Sequence, residues 1–146
     1  IWHMSEAGVA TEYRPGTYIY MDRSQVVAGA ATFDDCALTV LATVVSRPTE
    51  GRAIIDAGSK TLTSDLLGMD GHGFVLDYPE ARITGLSEEH GTLDVSGCAV
   101  KPRVGDTIRI VPNHCCPVSN LFDTVTLVRG DEVVDVVEVA ARGRVD

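Results

Sequence analysis

The segment Ala37-Leu38-Thr39-Val40-Leu41-Ala42-Thr43-Val44-Val45-Ser46 carries the two-residue period of a β-strand. Leu38, Val40, Ala42 and Val44 fall on one side, while Thr39, Leu41, Thr43 and Val45 fall on the other. One face is therefore wholly apolar and the other partly so, the pattern of a central strand with one face fully buried. Similar short, β-branched segments bounded by Gly, Pro or Asp recur at 17–21, 52–56, 82–86, 91–95, 107–111, 125–128 and 133–139. Strands at this spacing predict a mainly β chain, closed or partly closed into a barrel. Helical periodicity is scarce: residues 22–30 predict one short helix, capped by Asp22 and ended near Gly29. Residues 47–51 and 129–131 read as hairpin connections, and 68–73 as a glycine-rich loop. No internal repeat or linker interrupts the chain.

Composition bounds what such a chain can do. With 146 residues, 45% of them hydrophobic, it is long enough for one domain with a core that buries roughly two-thirds of the unfolded surface. A net charge of -9, from 12 Lys and Arg against 21 Asp and Glu, excludes a phosphate-binding nucleic-acid surface. The longest apolar segment, 36–45, is interrupted by Thr39 and Thr43 and falls short of the roughly 20 residues of a membrane-crossing helix. Neither nucleic acid nor membrane is an expected partner. The first residues, Ile1-Trp2-His3-Met4-Ser5-Glu6, lack the basic region and apolar core of a signal peptide and read as an internal start, cut from a longer chain. Four cysteines without a disulfide framework read as free thiols or ligands, which together with the absent signal implies a cytoplasmic location. Cys36 and Cys98 are expected to be packing residues.

The chemistry concentrates in Val111-Pro112-Asn113-His114-Cys115-Cys116-Pro117-Val118-Ser119-Asn120. If the strand over 107–111 continued, His114 and Cys116 would project to one side and Cys115 to the other, nominating His114 and Cys116 as a ligand pair. Imidazole nitrogen and thiolate sulfur suit a borderline-soft ion, zinc first. Two ligands are fewer than the four of a structural zinc site. On spacing alone the plainer reading prevails, with the cysteines as small core hydrophobes and His114 in an ordinary turn hydrogen bond.

The surrounding sequence reverses those odds. Arg14-Pro15-Gly16-Thr17-Tyr18 with Asp22, Ile55-Asp56-Ala57-Gly58-Ser59-Lys60 with Asp65, Leu86-Ser87-Glu88-Glu89-His90-Gly91, the PNHCCP run and Ala141-Arg142-Gly143-Arg144 occur in one order. In that order they resemble the C-terminal part of the D-threonine aldolase and D-serine dehydratase family, pyridoxal-phosphate (PLP) enzymes of the alanine-racemase type. The resemblance implies the β-barrel-like C-terminal domain of fold-type III PLP enzymes. Residues 1–30 would be the remnant of the last strand and turn of a missing (β/α) barrel, and 31–146 the β domain. It further implies a divalent metal on His114 and Cys116, zinc first and manganese second, and backbone contacts from Gly16 and Thr17 to the cofactor phosphate.

The family's PLP lysine belongs to the barrel. Lys60 and Lys101 are the only lysines here, and neither lies in a segment like the Schiff-base motif, so the chain alone is expected to be inactive. Lys60 could be argued as a substitute, but it reads better as a solvated loop residue. Glu88, Glu89 and His90 could shuttle protons or add a metal ligand, or be a solvated turn. Asp56, Asp65 and His72 read as turn residues and His3 as exposed; no catalytic step is assigned to any residue. The implied activity is that of a lyase on D-3-hydroxy amino acids. An aldolase would break the Cα–Cβ bond and a dehydratase would expel the β-hydroxyl, and Cys116 leans toward the latter. The implied partners are the substrate, the N-terminal barrel and a second subunit of a homodimer. The competing reading is a stand-alone β-barrel binding or oligomerisation module with a structural His/Cys pair; a third is a fragment of the full enzyme.

Overall fold

The computed structural model describes residue 8 and residues 11–144. Among these residues, eight strands follow one another as β1 (Val40–Thr49), β2 (Arg52–Ile55), β3 (Phe74–Val75), β4 (Arg82–Leu86), β5 (Gly91–Asp94), β6 (Thr107–Val111), β7 (Thr124–Arg129) and β8 (Glu132–Glu138). The first six form one antiparallel sheet in the order β3-β6-β1-β2-β5-β4. Its two edges nearly meet, because the His72 N–H just before β3 donates to the Ile83 carbonyl of β4 at 3.1 Å. The sheet is thus a nearly closed barrel, as the strand spacing predicts.

The alternation in β1 sets the inside. Val40, Ala42 and Val44 are buried while Leu41 and Val45 are exposed, and β1 sits between β6 and β2 as a central strand. Ala53, Ile55, Val75, Ile83, Leu93, Ile108 and Ile110 fill the barrel from the other strands, with Leu62 and Val118 packed against them. Burying one such side chain contributes about 1.5–3 kcal/mol, so the inward set determines the register.

Several details differ from the sequence reading. The β1–β2 connection is only Glu50-Gly51, since Thr49 pairs with Arg52; Pro48 lies within β1, where a register shift between Ser46 and Thr49 accommodates its missing N–H. Residues 17–21 are not a strand: Thr17–Ile19 is a 3₁₀ turn in which the Tyr20 and Met21 N–H groups donate to the Thr17 carbonyl. Phe74–Val75 is a strand too short to show a period. Among the described residues, three α-helices stand where one was expected: α1 (Arg23–Val27), α2 (Ser59–Leu62) and α3 (Cys115–Leu121). Helix α1 matches the expectation, with Asp22 as its N-cap and Gly29 at φ +72° closing it. No described helix is long and apolar enough to cross a membrane.

Among the described residues, the hairpin β7–β8 pairs only with itself. Leu127, Val128, Val133, Val134 and Val136 are exposed on it. The Gly130-Asp131 turn, with Gly130 at φ +62°, is where the sequence places it.

Candidate functional site

Strand β6 ends at Val111, after which Pro112 and Asn113 are buried and His114 is still extended (φ -139°, ψ 106°). The chain then turns into α3 instead of continuing as strand. Pro117 is the third residue of that helix, within the first turn, where its missing N–H leaves no bond unmade. The alternating-strand geometry for 114–116 is therefore corrected. Cys115 is wholly buried and Cys116 exposed because neighbours on a helix point about 100° apart. His114 remains half-exposed beside them.

The N-terminal segment is clamped onto this loop. The Arg23 and Ser24 N–H groups donate to the carbonyls of Pro112 (3.0 Å) and Asn113 (3.2 Å). Asp22 is fully buried: one oxygen accepts from Ser24 Oγ (2.6 Å) and the Gln25 N–H (3.2 Å), the other from the Cys115 N–H (2.8 Å). Burial would raise the Asp22 carboxyl, but the bonds from Ser24, Cys115 and Gln25 outweigh it and hold the group below the usual carboxylate range. Burial first, then the negative charge of Asp22, pushes the Cys115 thiol far up, so Cys115 is an inert packing group.

Clamping brings Thr17 Oγ1 to 3.8 Å from Cys116 Sγ. Two residues of different expected roles, one for the cofactor phosphate and one for the metal, thus share one surface. Gly16 is exposed, and a Cβ built on it meets nothing within 4 Å, so its backbone is open to an approaching group. On the other side of the loop, His114 Nδ1 lies 2.9 Å from Asp65 Oδ2. Asn113 donates from Nδ2 to the carbonyls of Asp65 (2.9 Å) and Gly71 (2.8 Å), and accepts on Oδ1 from Arg23 Nη1 (3.1 Å). Asn113 and Arg23 are residues the sequence reading missed, and Asp65, read there as a turn residue, is instead in contact with His114. Asn113 lies inside the quoted run, but its partners are 42 to 90 residues away and no spacing rule reaches them.

The other candidates sort differently. Among the described residues, no hydrogen bond or ion pair joins Glu88, Glu89 or His90 to His114 or Cys116. Lys60 Nζ instead contacts Glu89 (2.6 Å) and Glu88 (3.4 Å), and these partners raise its pKa, the wrong direction for a nucleophilic amine. Asp56 accepts from the Thr43 N–H of β1 at 2.6 Å, a cross-strand contact just past the end of β2 in place of the turn closure expected of it. His72 Nδ1 is buried with no partner among the described residues, and burial lowers its pKa. Cys36 and Cys98 are buried, their thiols raised by desolvation, which matches a packing role. His3 lies outside the described residues.

The donors fit part of a metal site. Among the described residues no three His, Cys, Asp or Glu side chains converge as a metal cluster. His114 and Cys116 nevertheless offer the nitrogen and sulfur that zinc prefers, with the histidine oriented through its other ring nitrogen. Further ligands would have to come from water, substrate or another domain. The lysines do not fit a covalent PLP anchor: Lys60 is ion-paired, and Lys101 Nζ donates to the Glu50 carbonyl at 3.1 Å.

Known proteins resemble this chain over most of its length. Residues 37–128 match the family model described as "Putative serine dehydratase domain". An uncharacterised protein of Mycobacterium tuberculosis is 43% identical over 128 residues, covering 84% of this chain and 96% of that protein. The crystal structure of D-threonine aldolase from Filomicrobium marinum superposes with a TM-score of 0.79 at 35% identity, over 96% of this chain and 38% of the aldolase. D-threo-3-hydroxyaspartate dehydratase from Delftia sp. HT23 superposes with a TM-score of 0.73 at 30% identity, over 84% of this chain and 37% of the enzyme. Two variants of that dehydratase have been solved, one with a histidine and one with the cysteine two positions further on replaced by alanine. The cysteine variant is described as the metal-free form. The chain thus spans well under half of the solved enzymes and nearly all of the mycobacterial protein.

Proposed function

This chain belongs to the serine dehydratase domain family, and on that footing we propose that it is the metal-bearing C-terminal domain of a PLP-dependent lyase acting on D-3-hydroxy amino acids. Residues 1–30 would join it to an N-terminal (β/α) barrel, and 31–146 would be the β domain. The observation that carries this reading is the pair of contacts on the His114–Cys116 run, Asp65 on His114 Nδ1 and the Thr17 hydroxyl on Cys116. The histidine and cysteine altered in the dehydratase variants have the same spacing, which supports the assignment.

When bound, PLP supplies an electron sink and a divalent cation supplies a Lewis acid. The residues of this chain hold and orient. His114 Nε2 and Cys116 Sγ would bind the cation, zinc first and manganese second. Gly16 and Thr17 would offer backbone N–H groups to the cofactor phosphate. Asp22 ties α1 to the start of α3, at the residue between His114 and Cys116. The substrate's carbon chain is broken in an aldolase and its β-hydroxyl lost in a dehydratase, and a thiolate ligand favours the latter. The exposed valines of β7–β8 suit burial against the barrel or a second subunit of a homodimer. The proposed setting is the cytoplasm, where Cys116 stays reduced.

The test is metal content and PLP absorbance of the chain alone, and together with the barrel its genome encodes, upstream or in a separate gene. The lyase reading expects the chain alone to be inactive. It expects the combined form to be yellow, to hold about one metal per β domain and to cleave or dehydrate D-3-hydroxy amino acids. Absence of both cofactor and metal overturns the reading. A second reading is favoured by the mycobacterial relative, of which this chain covers 96%: a domain of this kind acting without a barrel, as a binding or oligomerisation module. Such a module, with His114 and Cys116 as a structural pair, would self-associate or bind a partner with no barrel, cofactor or metal present.

A further inference from the structure

His114 does not stand in its loop unaided. We propose that Asp65 is its positioning residue, fixing the imidazole in the Nδ1–H tautomer and thereby presenting Nε2 as the donor to a divalent cation. This rests on the metal reading of the same site and adds to it a residue outside the His/Cys pair.

The geometry supports each step. Asp65 Oδ2 lies 2.9 Å from His114 Nδ1, and an ionised carboxylate can only accept, so the proton of that bond belongs to Nδ1. Among the described residues no hydrogen bond reaches Nε2. A histidine whose one nitrogen donates to a carboxylate presents its other nitrogen as a lone pair of fixed direction, which is how ligand histidines are commonly oriented. Asp65 is itself held. Its N–H donates to Thr63 Oγ1 at 3.2 Å, and its carbonyl accepts from the wholly buried Asn113, which Arg23 secures in turn.

Thr63 adds a cost that calls for a compensating role. Its backbone stands at φ +64°, ψ 174°, a region that residues other than glycine rarely occupy and that costs about 1–3 kcal/mol. That conformation ends α2 abruptly and turns the chain so that residue 65 reaches His114 from across the loop. A solvated turn aspartate would need neither the strain nor the buried asparagine behind it.

The experiment uses the chain with ¹⁵N-labelled histidine, free of metal at pH about 8, where an ordinary imidazole is neutral. Long-range ¹H–¹⁵N spectra report the His114 tautomer, and a zinc titration reports affinity. Wild type should show Nδ1–H. Asp65→Ala should shift His114 toward Nε2–H and weaken zinc about 10–100-fold. Asp65→Asn, whose amide oxygen still accepts from Nδ1–H, should retain the tautomer and recover part of the affinity. Thermal melts of both variants separate these effects from unfolding. An unchanged tautomer in Asp65→Ala, with zinc affinity within about 2-fold of wild type, overturns the proposal and leaves the metal reading intact. A shifted tautomer in a chain whose wild type binds no zinc overturns the metal reading and the cation role of Asp65 together.

Discussion

Asp22→Ala should loosen the candidate site before it disturbs the barrel. The carboxylate is fully buried and serves two elements: it caps α1 through Ser24 and the Gln25 N–H, and it holds the first N–H of α3 at Cys115. Losing an N-cap costs about 1 kcal/mol. Leaving the buried Cys115 N–H without its charged acceptor costs a further 1–3 kcal/mol, roughly. The sum, about 2–4 kcal/mol, should appear in urea unfolding followed by circular dichroism, and a loss near 3 kcal/mol lowers the thermal midpoint by about 6–12 °C for a domain of this size. Asp22→Asn keeps an acceptor for the cap and should lose about half as much. The pH dependence carries a sign. The folded Asp22 carboxyl lies below its usual range, so its contribution is complete above the unfolded value of about 3.9 and is lost as pH falls through the lower folded value. The stability gap between wild type and Asp22→Ala should therefore persist from neutral pH down to about pH 4 and close only below it. A stability change under about 0.5 kcal/mol, or a gap that closes near neutrality, would refute the clamp.

The four cysteines should separate by reactivity. With an aromatic disulfide reagent at neutral pH, Cys116 should react at once, while Cys36, Cys98 and Cys115, whose thiols burial raises, wait for denaturant; two fast thiols in the native chain would contradict the burial of Cys115. Gly58→Ala places a Cβ against the backbone of Ser87 and Glu88 and should destabilise by about 1–3 kcal/mol in a urea titration. Gly85→Ala meets nothing within 4 Å and should change stability by less than about 0.5 kcal/mol, which makes it the control.

The barrel was legible because its signal is local. Val40, Ala42 and Val44 are buried and Leu41 is exposed, and a period of two over that many residues has one structural meaning. Helix α3 was not legible in the same way. Seven residues are too few for a helical period, and the preceding strand invited extrapolation through His114. Two signals argued for a helix all the same. Pro117 suits a first turn and a strand interior poorly, and the buried Cys115 and Val118 are three residues apart, the spacing of one helical face. The alternating-strand argument separated Cys115 from Cys116 for a reason the structure replaces: the separation comes from the turn of a helix whose buried side meets the core.

The site itself is an assembly of distant segments, and its one sequence-level trace is stoichiometric. A helix-capping aspartate uses one carboxylate oxygen on its own helix, as Asp22 Oδ1 does with Ser24 and Gln25. Exposed, the second oxygen would bond water; buried, it must find a donor elsewhere. The donor is the Cys115 N–H, 93 positions away. The same accounting applies to His114, whose two ring nitrogens cannot both serve Asp65. One nitrogen is taken at 2.9 Å, and among the described residues no hydrogen bond reaches the other. Asp22 is thus half satisfied by its own neighbourhood and half committed to a distant segment, while the side chains of Asn113 and His114 bond only to distant segments. For that reason the clamp at Asp22 and the ligand geometry at His114 should fail together when α1 is pulled from the loop.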